Sequence, residues 1–296
     1  MGRTQIIACL IVGLWASGIV GCTKERPITV GSKNFTEQVI LGEIVAQHLE
    51  HRLGRHVDRK LDLGGTMLAH QALINGDIDL YPEYTGTALA TVLKLPPTHD
   101  PVAALALVRA EYQARFNVEW MDSLGFNNTF AMVIRGDDAR KNKIAILSEA
   151  ARYAPGWNLG VGYEFQQRSD GLAGLQKTYN LPLLGSPTTM DLGLLYRALE
   201  QRQVSMVVGN ATDGQLSVLD VLVLQDDQHY FPPYDCVLAV RSAMLKDNPP
   251  LRMALTELAG LFTDLTMSKL NYQVDGEHRP VRQVAEQFLR DTGLHR

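Results

Sequence analysis

The run Asp77-Ile78-Asp79-Leu80-Tyr81-Pro82-Glu83-Tyr84-Thr85-Gly86-Thr87 decides how this chain folds. It follows a segment with helical spacing that Gly76 closes, and its first half predicts a strand. The Thr-Gly-Thr end then breaks the strand, and its hydroxyl groups are predicted to cap a new helix. The strand thereby delivers two tyrosines and a helix N-terminus to one rim, which suits a zwitterion because it offers aromatic faces and N–H groups. Burial of these tyrosines in a core is the alternative interpretation.

Two strand-and-helix units precede this run. Residues 28–31 and 57–63 have the pattern of strands, and each is followed by a helix; the first helix is predicted to be capped at Asn34 or Thr36. Strand, helix, strand, helix, strand predicts a parallel sheet with helices on both faces. In such sheets ligands bind beyond the carboxyl ends of the strands, where Lys33 and the turn of the third strand both fall.

The middle of the chain repeats the α/β pattern as a second lobe. Residues 129–134 are predicted to be the first extended crossing between the lobes, and residues 237–240 the return crossing. Within the second lobe, Thr188 or Thr189 is predicted to cap a helix that precedes a strand at 204–208. Two lobes joined by two crossings predict a hinge with a cleft, which a ligand closes. The predicted boundaries are a signal peptide at 1–21, a tether at 22–27, lobe I at 28–128 and 233–296, and lobe II at 129–232.

Composition narrows the class of partner. The chain has 296 residues, of which 46% are hydrophobic, and a net charge of −4. It is long enough for one large or two moderate cores. The sequence contains neither a basic run nor a glycine-lysine tract, so we expect no nucleic acid partner and no cofactor. A monomer that binds a small molecule or another protein is expected.

The N-terminus has the features of an export signal. The charged start and the short apolar run at 6–15 fit a signal peptide, and Ile19-Val20-Gly21-Cys22 resembles a bacterial lipobox, in which the cysteine is acylated. An ordinary cleaved signal is the alternative. Lipid on Cys22 would hold the protein in the cell envelope, on the extracytoplasmic face of a membrane. Cys9 would leave with the signal and Cys236 would remain alone, so no intramolecular disulfide is expected.

Short motifs along the whole mature chain resemble one family. They are Gly31-Ser-Lys-Asn-Phe-Thr-Glu-Gln38, Leu63-Gly-Gly-Thr66, Asp79-Leu-Tyr-Pro-Glu-Tyr-Thr-Gly-Thr87, Asn127-Asn-Thr129, Arg168-Ser-Asp-Gly171, Thr212-Asp-Gly214 and Phe231-Pro-Pro-Tyr234. The family is that of the extracytoplasmic solute-binding proteins of quaternary-amine, or osmoprotectant, ABC importers. The resemblance implies a two-lobed, type II periplasmic-binding-protein-like α/β fold with two crossing hinge strands. It also implies capture of glycine betaine, choline, carnitine or a similar compound by lobe closure, and delivery to ABC permease and ATPase subunits.

The resemblance also assigns candidate ligand-binding residues. Tyr84 and Tyr234 resemble members of an aromatic cage for a trimethylammonium group, while Lys33, Thr87 and Arg168 resemble carboxylate ligands. The chemistry is consistent, because a quaternary ammonium has no N–H to donate and a carboxylate accepts charge-assisted hydrogen bonds.

Asn128 is a further candidate ligand-binding residue. Two other candidate positions depart from the family pattern. Phe130 stands where a tyrosine is common, and Asn210 stands where an aromatic residue often precedes the Thr-Asp-Gly turn. Since asparagine cannot attract a cation as a ring does, about 0.5–2 kcal/mol of cation attraction would be missing for each lost face. The ligand is then either held weakly, or it is a larger or more polar betaine that uses this space.

Other functions are weighed against this one. The sequence lacks a Gly-x-Ser-x-Gly elbow, a phosphate loop and a Cys/His arrangement in a strong local context, so an enzyme is not expected. His48 and His51 lie three residues apart but have no third metal ligand nearby, so no metal site is expected. Porphobilinogen deaminases and some regulators share a two-lobed fold, so the fold alone does not fix the function. A binding protein for ergothioneine or an amino acid, or a lipid-anchored sensor, remains as the alternative.

Overall fold

A computed structural model describes residues 26–246 and 248–295. The predicted signal peptide, Cys9, Cys22 and residues 23–25 of the predicted tether lie outside the described residues. Over the described residues the chain forms two α/β lobes, each built on a mixed five-stranded sheet. Within that part of the chain, no helix combines the length and the apolar character needed to span a bilayer.

The first lobe is formed by both ends of the described chain. Its N-terminal elements are β1 (Ile28–Gly31), α1 (Thr36–Leu53), β2 (Val57–Lys60), α2 (Thr66–Asn75), β3 (Leu80–Tyr84), α3 (Thr85–Thr87), a π-helical turn (Ala88–Leu93), α4 (Pro101–Phe116) and β4 (Val118–Asn127). The chain then forms the second lobe. The elements of that lobe are β5 (Phe130–Arg135), α5 (Gly136–Asn142), α6 (Leu147–Ala150), β6 (Leu159–Val161), α7 (Tyr163–Gln167), α8 (Leu172–Tyr179), β7 (Thr188–Thr189), a 3₁₀ turn (Leu192–Leu194), α9 (Leu195–Glu200), β8 (Met206–Asn210), a 3₁₀ turn (Gly214–Ser217) and β9 (Val221–Val223). It finally returns to the first lobe through β10 (Asp235–Arg241), α10 (Ser242–Lys246), α11 (Pro249–Thr256), α12 (Asp264–Asp275) and α13 (Val281–Asp291).

The sheet of the first lobe has the strand order β2-β1-β3-β10-β4. Strand β1 pairs in parallel with both β2 and β3, which confirms the parallel arrangement predicted for the first three strands. Strand β10 is antiparallel to β3 and β4, so the sheet is mixed. The predicted return crossing at 237–240 therefore belongs to the first sheet, where it lies beside β3.

The sheet of the second lobe has the order β7-β6-β8-β5-β9. Side chains alternate along β5: Met132 and Ile134 join one apolar cluster, while Ala131 and Val133 join another. The alternation places apolar side chains on both faces of the sheet, as expected for a strand that is covered on both sides. The predicted first crossing at 129–134 lies almost wholly in this strand, so the chain passes between the sheets over residues 128–129.

Several helix ends follow from local sequence. Asp100 caps α4 by accepting hydrogen bonds from the N–H groups of Val102 and Ala103, and Pro101 occupies the first turn. Gly76 ends α2 in the left-handed conformation at φ 79°, which glycine adopts without a steric penalty. The end of α2 at Gly76 was predicted from the sequence and is confirmed.

The predicted threonine caps are wrong. Thr85 is already the first residue of α3, so its hydroxyl instead donates to the Pro233 carbonyl at 3.1 Å and ties β3 to the start of β10. Thr36 lies in the same position of α1, and its hydroxyl donates to Asp275 at 2.6 Å. Thr188 and Thr189 form β7 rather than a cap. In each case a tertiary partner or a sheet neighbour takes the place of the local hydrogen bond.

Candidate functional site

A cavity of about 210 Å³ lies between the two lobes. All eight candidate residues from the sequence line it: Lys33, Tyr84, Thr87, Asn128, Phe130, Arg168, Asn210 and Tyr234. They come from strand ends, from the loops that follow them, and from the crossings. The cavity thus lies where open α/β sheets place ligands, beyond the ends of strands from both lobes.

Lys33 lies in the loop after β1 and is almost fully buried. Its Nζ donates to Glu83 Oε1 at 2.6 Å, and the Glu83 side chain is fully buried on β3. The same Nζ lies 4.7 Å from the centroid of the Tyr84 ring and 5.8 Å from that of Phe35. The lysine is therefore an ion-paired cation that faces the aromatic wall.

Arg168 follows α7 and forms the corresponding pair in the second lobe. Its Nε and Nη2 donate to the two carboxylate oxygens of Asp170 at 2.8 and 2.6 Å. Its Nη1 donates across the cleft to Thr87 Oγ1 at 3.0 Å. Although burial opposes the charge, the hydrogen bonds that Arg168 donates to the Asp170 carboxylate hold the pKa of Arg168 above its usual range. The guanidinium also faces Phe130 and Tyr234, at 5.1 and 5.6 Å from the ring centroids.

The aromatic residues form a continuous wall. Phe130 packs edge-on against both Phe165 and Tyr234, with centroids 4.8 and 5.5 Å apart, and Phe35 stacks on Tyr84 at 6.3 Å. The hydroxyl of Tyr84 donates to Glu37 at 2.6 Å, and that of Tyr234 donates to Asp170 at 2.7 Å. Burial raises the pKa of both phenols, so they stay neutral donors. These hydrogen bonds fix the ring orientations.

Tyr81 does not reach the cavity, so the prediction that both tyrosines of β3 meet the same rim is wrong. It is fully buried, and its hydroxyl donates to Glu83 at 3.1 Å. Residues three apart in a strand point to opposite faces, which separates Tyr81 from Tyr84.

Glu37, which the sequence indicated only as part of a cap, is a buried junction behind the cavity. Its carboxylate accepts hydrogen bonds from Tyr84, from Asn128 Nδ2 at 2.8 Å, from Asn271 Nδ2 at 3.2 Å and from the Thr212 hydroxyl. Burial raises its pKa, and the four bonds oppose that rise. Thr212 lies in the second lobe, so this carboxylate joins both lobes. It also fixes the side chains of two candidate ligand residues.

Asn210 lines both this cavity and a neighbouring one of about 320 Å³. Its N–H donates to Asp213 Oδ2 at 2.8 Å, an oxygen that also accepts from the Tyr196 hydroxyl at 2.7 Å. Burial raises the pKa of Asp213 to about 6. The wall of the second cavity is rich in carboxylates: Glu37, Asp62, Asp191, Asp213 and Asp275. The position at which the predicted cage lacks an aromatic residue therefore lies beside a second cavity.

Several other cavity residues were not found from the sequence. Phe35 and Phe165 add aromatic surface, and Glu164 lines the cavity from α7. Phe35 lies inside a motif quoted above, whereas Phe165 and Glu164 lie outside all of them. The described residues contain no group of three potential metal ligands, and the His48 ring contacts the Ala254 carbonyl at 2.9 Å.

Comparison with known proteins covers nearly the whole described chain. Residues 26–291 match the family model of the substrate-binding domain of ABC-type glycine betaine transport systems. The chain is 36% identical over 274 residues to the ergothioneine transport permease/ergothioneine binding protein EgtU of Helicobacter pylori, covering 92% of this chain and 48% of that protein. It thus spans about half the length of this relative.

Two further similar proteins align with most of this chain and over most of their own length. The chain is 34% identical over 274 residues to the carnitine transport binding protein OpuCC of Listeria monocytogenes, covering 92% of this chain and 88% of that protein. A crystal structure of a glycine betaine/carnitine/choline ABC transporter matches with a TM-score of 0.76 at 29% identity, over 91% of this chain and 100% of the other. The shared architecture is the two-lobed type II fold of periplasmic binding proteins.

Proposed function

Because the chain belongs to the family of substrate-binding domains of ABC-type glycine betaine transport systems, we propose that it captures a quaternary-ammonium zwitterion by lobe closure. The family consists of binding proteins rather than enzymes, and this member is the substrate-binding component of a quaternary-amine importer. The observation that carries the proposal is the cavity between the lobes, in which aromatic faces and two ion-paired cations converge.

The aromatic wall supplies the site for the cationic group. Tyr84 comes from the first lobe, Phe130 and Tyr234 lie beside the two crossings, and all three line the cavity. Aromatic faces attract a trimethylammonium group without needing an N–H donor, and the attraction grows when the site is dry. Closure of the lobes would exclude water and bring these rings around the ligand.

Lys33, Thr87 and Arg168 supply the site for the carboxylate. The hydrogen bonds described above use one of the three N–H groups of Lys33 and three of the five N–H groups of Arg168. The other donors are available to a ligand carboxylate, as is the Asn128 amide on the cavity wall. Both cations thus hold their positions through Glu83 and Asp170 while they keep donors for a ligand.

The second cavity, which Asn210 also lines, favours a betaine larger than glycine betaine. A small ligand would leave the neighbouring cavity of about 320 Å³ unused, whereas a polar extension would reach it and the Asn210 side chain. Two of the similar proteins are described as binding ergothioneine and carnitine, which are both larger than glycine betaine. Ergothioneine is therefore the second candidate ligand.

The cellular setting belongs to the same proposal. We propose that Cys22 carries a lipid that tethers the monomeric protein to the extracytoplasmic face of a bacterial membrane, beside its ABC permease and ATPase subunits. Lobe I would comprise residues 28–128 and 233–296, and lobe II residues 129–232. Support comes from the lipobox-like sequence and from the division of the strands between two sheets.

A ligand panel tests the proposal. Purified mature protein is titrated calorimetrically with glycine betaine, dimethylglycine, carnitine, choline, ergothioneine, proline and glutamine, and its thermal unfolding is followed with each. A ligand at about 100 times its Kd adds roughly 2.7 kcal/mol to the free energy of unfolding. We expect trimethylated zwitterions to bind and dimethylglycine to bind more weakly than glycine betaine. Binding of proline or glutamine alone would contradict the proposal.

A further inference from the structure

Helix α2 of the first lobe receives its N-terminal cap from the second lobe. The residue before the helix is Gly65, which has no side chain to cap it. The carboxylate of Glu164, on α7 across the cleft, accepts a hydrogen bond from the Thr66 N–H at 2.5 Å and one from the Thr66 hydroxyl at 3.1 Å. Thr66 is fully buried by this contact and its surroundings. A charge from one lobe thus lies at the positive end of a helix in the other.

Gly65 is needed for this approach because of its size rather than its backbone conformation. Its φ of −74° and ψ of −178° are open to any residue. A Cβ at this position would overlap the Glu164 carboxylate, however. Even a methyl group at position 65 of the first lobe would therefore displace the Glu164 carboxylate of the second lobe.

The same short segment carries a second contact across the cleft. Helix α7 holds Glu164, and Arg168 directly follows the helix and donates to Thr87 at 3.0 Å. Glu164 and Arg168 both line the cavity. The hydrogen bonds between Glu164 and Thr66 therefore restrain α7 and, with it, the position of Arg168 at the cavity.

We propose that Glu164 is a positioning residue that latches the lobes shut: its carboxylate caps α2 across the cleft and so slows the release of ligand. The inference rests on the proposed closure around a ligand, but the latch acts on the lobes whichever compound is bound. In the open form the α2 N–H groups and the carboxylate both return to water. Because the Glu164 side chain is exposed, the effect on the equilibrium is moderate and is screened by salt.

The test uses matched changes from the two lobes. Fluorophores on cysteines placed at the exposed Lys60 and Lys177 report lobe closure by energy transfer, while the buried Cys236 stays unlabelled. The closed fraction is measured without ligand, and the dissociation rate constant is measured with glycine betaine and with ergothioneine. The variants are Glu164→Ala, Glu164→Gln, Gly65→Ala and the double variant Gly65→Ala/Glu164→Ala. Glu286→Gln, which removes an equal charge from α13, is the control.

The latch predicts a specific pattern. Glu164→Ala and Gly65→Ala should each raise the dissociation rate constant about two- to tenfold and lower the closed fraction, with little change in the association rate constant. The double variant should be no worse than either single one, since both remove the same contact. Glu164→Gln should be intermediate, because its amide oxygen still accepts a hydrogen bond without the charge.

Two results would overturn the inference. Additive effects of the two single changes would show that they act separately, and an unchanged closed fraction in Glu164→Ala would show that no latch exists. Thermal unfolding of each variant identifies any that has simply lost stability. If Glu164→Ala is such a variant, the closed fraction of Glu164→Gln still tests the latch. If no trimethylated zwitterion of the ligand panel binds, the proposed function fails, yet the closed fraction without ligand still tests the latch.

Discussion

Replacing Arg168 by alanine separates the structural role of this residue from its proposed role in binding. The Arg168 and Asp170 side chains are both almost fully buried, and the change removes two hydrogen bonds between them as well as the bond to Thr87. Asp170 then keeps only the Tyr234 hydroxyl among the partners described here. Breaking a buried pair in this way lowers the free energy of unfolding by about 3–5 kcal/mol. Urea unfolding measures that loss.

The effect on binding should depend on the ligand. A lost charge-assisted hydrogen bond from Arg168 to a carboxylate weakens glycine betaine or carnitine by roughly 1.5–3 kcal/mol, which is about a 10- to 150-fold change in Kd. Choline has no carboxylate and should lose much less. Calorimetric titration of the folded variant with both ligands gives the comparison.

The double variant Arg168→Ala/Asp170→Ala provides the control for a damaged fold. It removes both charges, so it should recover part of the lost stability while the weakening of glycine betaine persists. Equal losses for choline and glycine betaine in the single variant would show that Arg168 acts only through Asp170 and Tyr234. That result would refute the assignment of Arg168 to the carboxylate.

Three further changes test other parts of the molecule. If the cage merely lacks one aromatic face, Asn210→Tyr should tighten the binding of glycine betaine by about 0.5–2 kcal/mol, as measured by calorimetric titration. Loss of carnitine or ergothioneine binding without that gain would show that the space holds a larger ligand. No change for any ligand would mean that residue 210 does not contact the ligand. Because the pKa of Asp213 is raised to about 6, its contribution to stability is present below about pH 4 and is lost as the pH rises through about 6. Asp213→Asn should remove this loss, on the order of 3 kcal/mol, from urea-unfolding profiles between pH 4 and 7. Parallel profiles for the two proteins would contradict this prediction. Cys22→Ser should abolish labelling by a radioactive fatty acid, and continued labelling would exclude Cys22 as the lipidated residue.

Local sequence predicts those elements whose signals are local. The cap at Asp100 and the glycine end of α2 involve residues within one helical turn, so pattern alone finds them. The positions of the candidate site residues follow from a more general rule. Because ligands bind beyond the ends of strands, the motifs after β1 and β3 were expected at one rim, and the structure brings them together.

The partners of the buried polar groups are not local, and for that reason the sequence does not show them. Glu37 bonds to Thr212, which lies 175 positions away, and Lys33 bonds to Glu83 at a separation of 50. The first pair forms only after the two lobes have folded and approached each other, whereas the second forms once the sheet of the first lobe has brought β1 beside β3. The error on Tyr81 is different in kind, because the alternation of side chains along a strand was sufficient to separate it from Tyr84.

The buried pairs also explain how a cavity with two cations would select a zwitterion. Lys33 and Arg168 each have a carboxylate partner, Glu83 and Asp170, so these four groups together carry no net charge. A cationic ligand would place an uncompensated charge in this environment, and an anionic ligand would do the same with the opposite sign. A zwitterion brings no net charge, yet it uses both the aromatic faces and the free N–H donors. Beside these two pairs, a neutral ligand with separated charges would avoid the cost of a buried, unpaired charge, and this difference would favour a zwitterion.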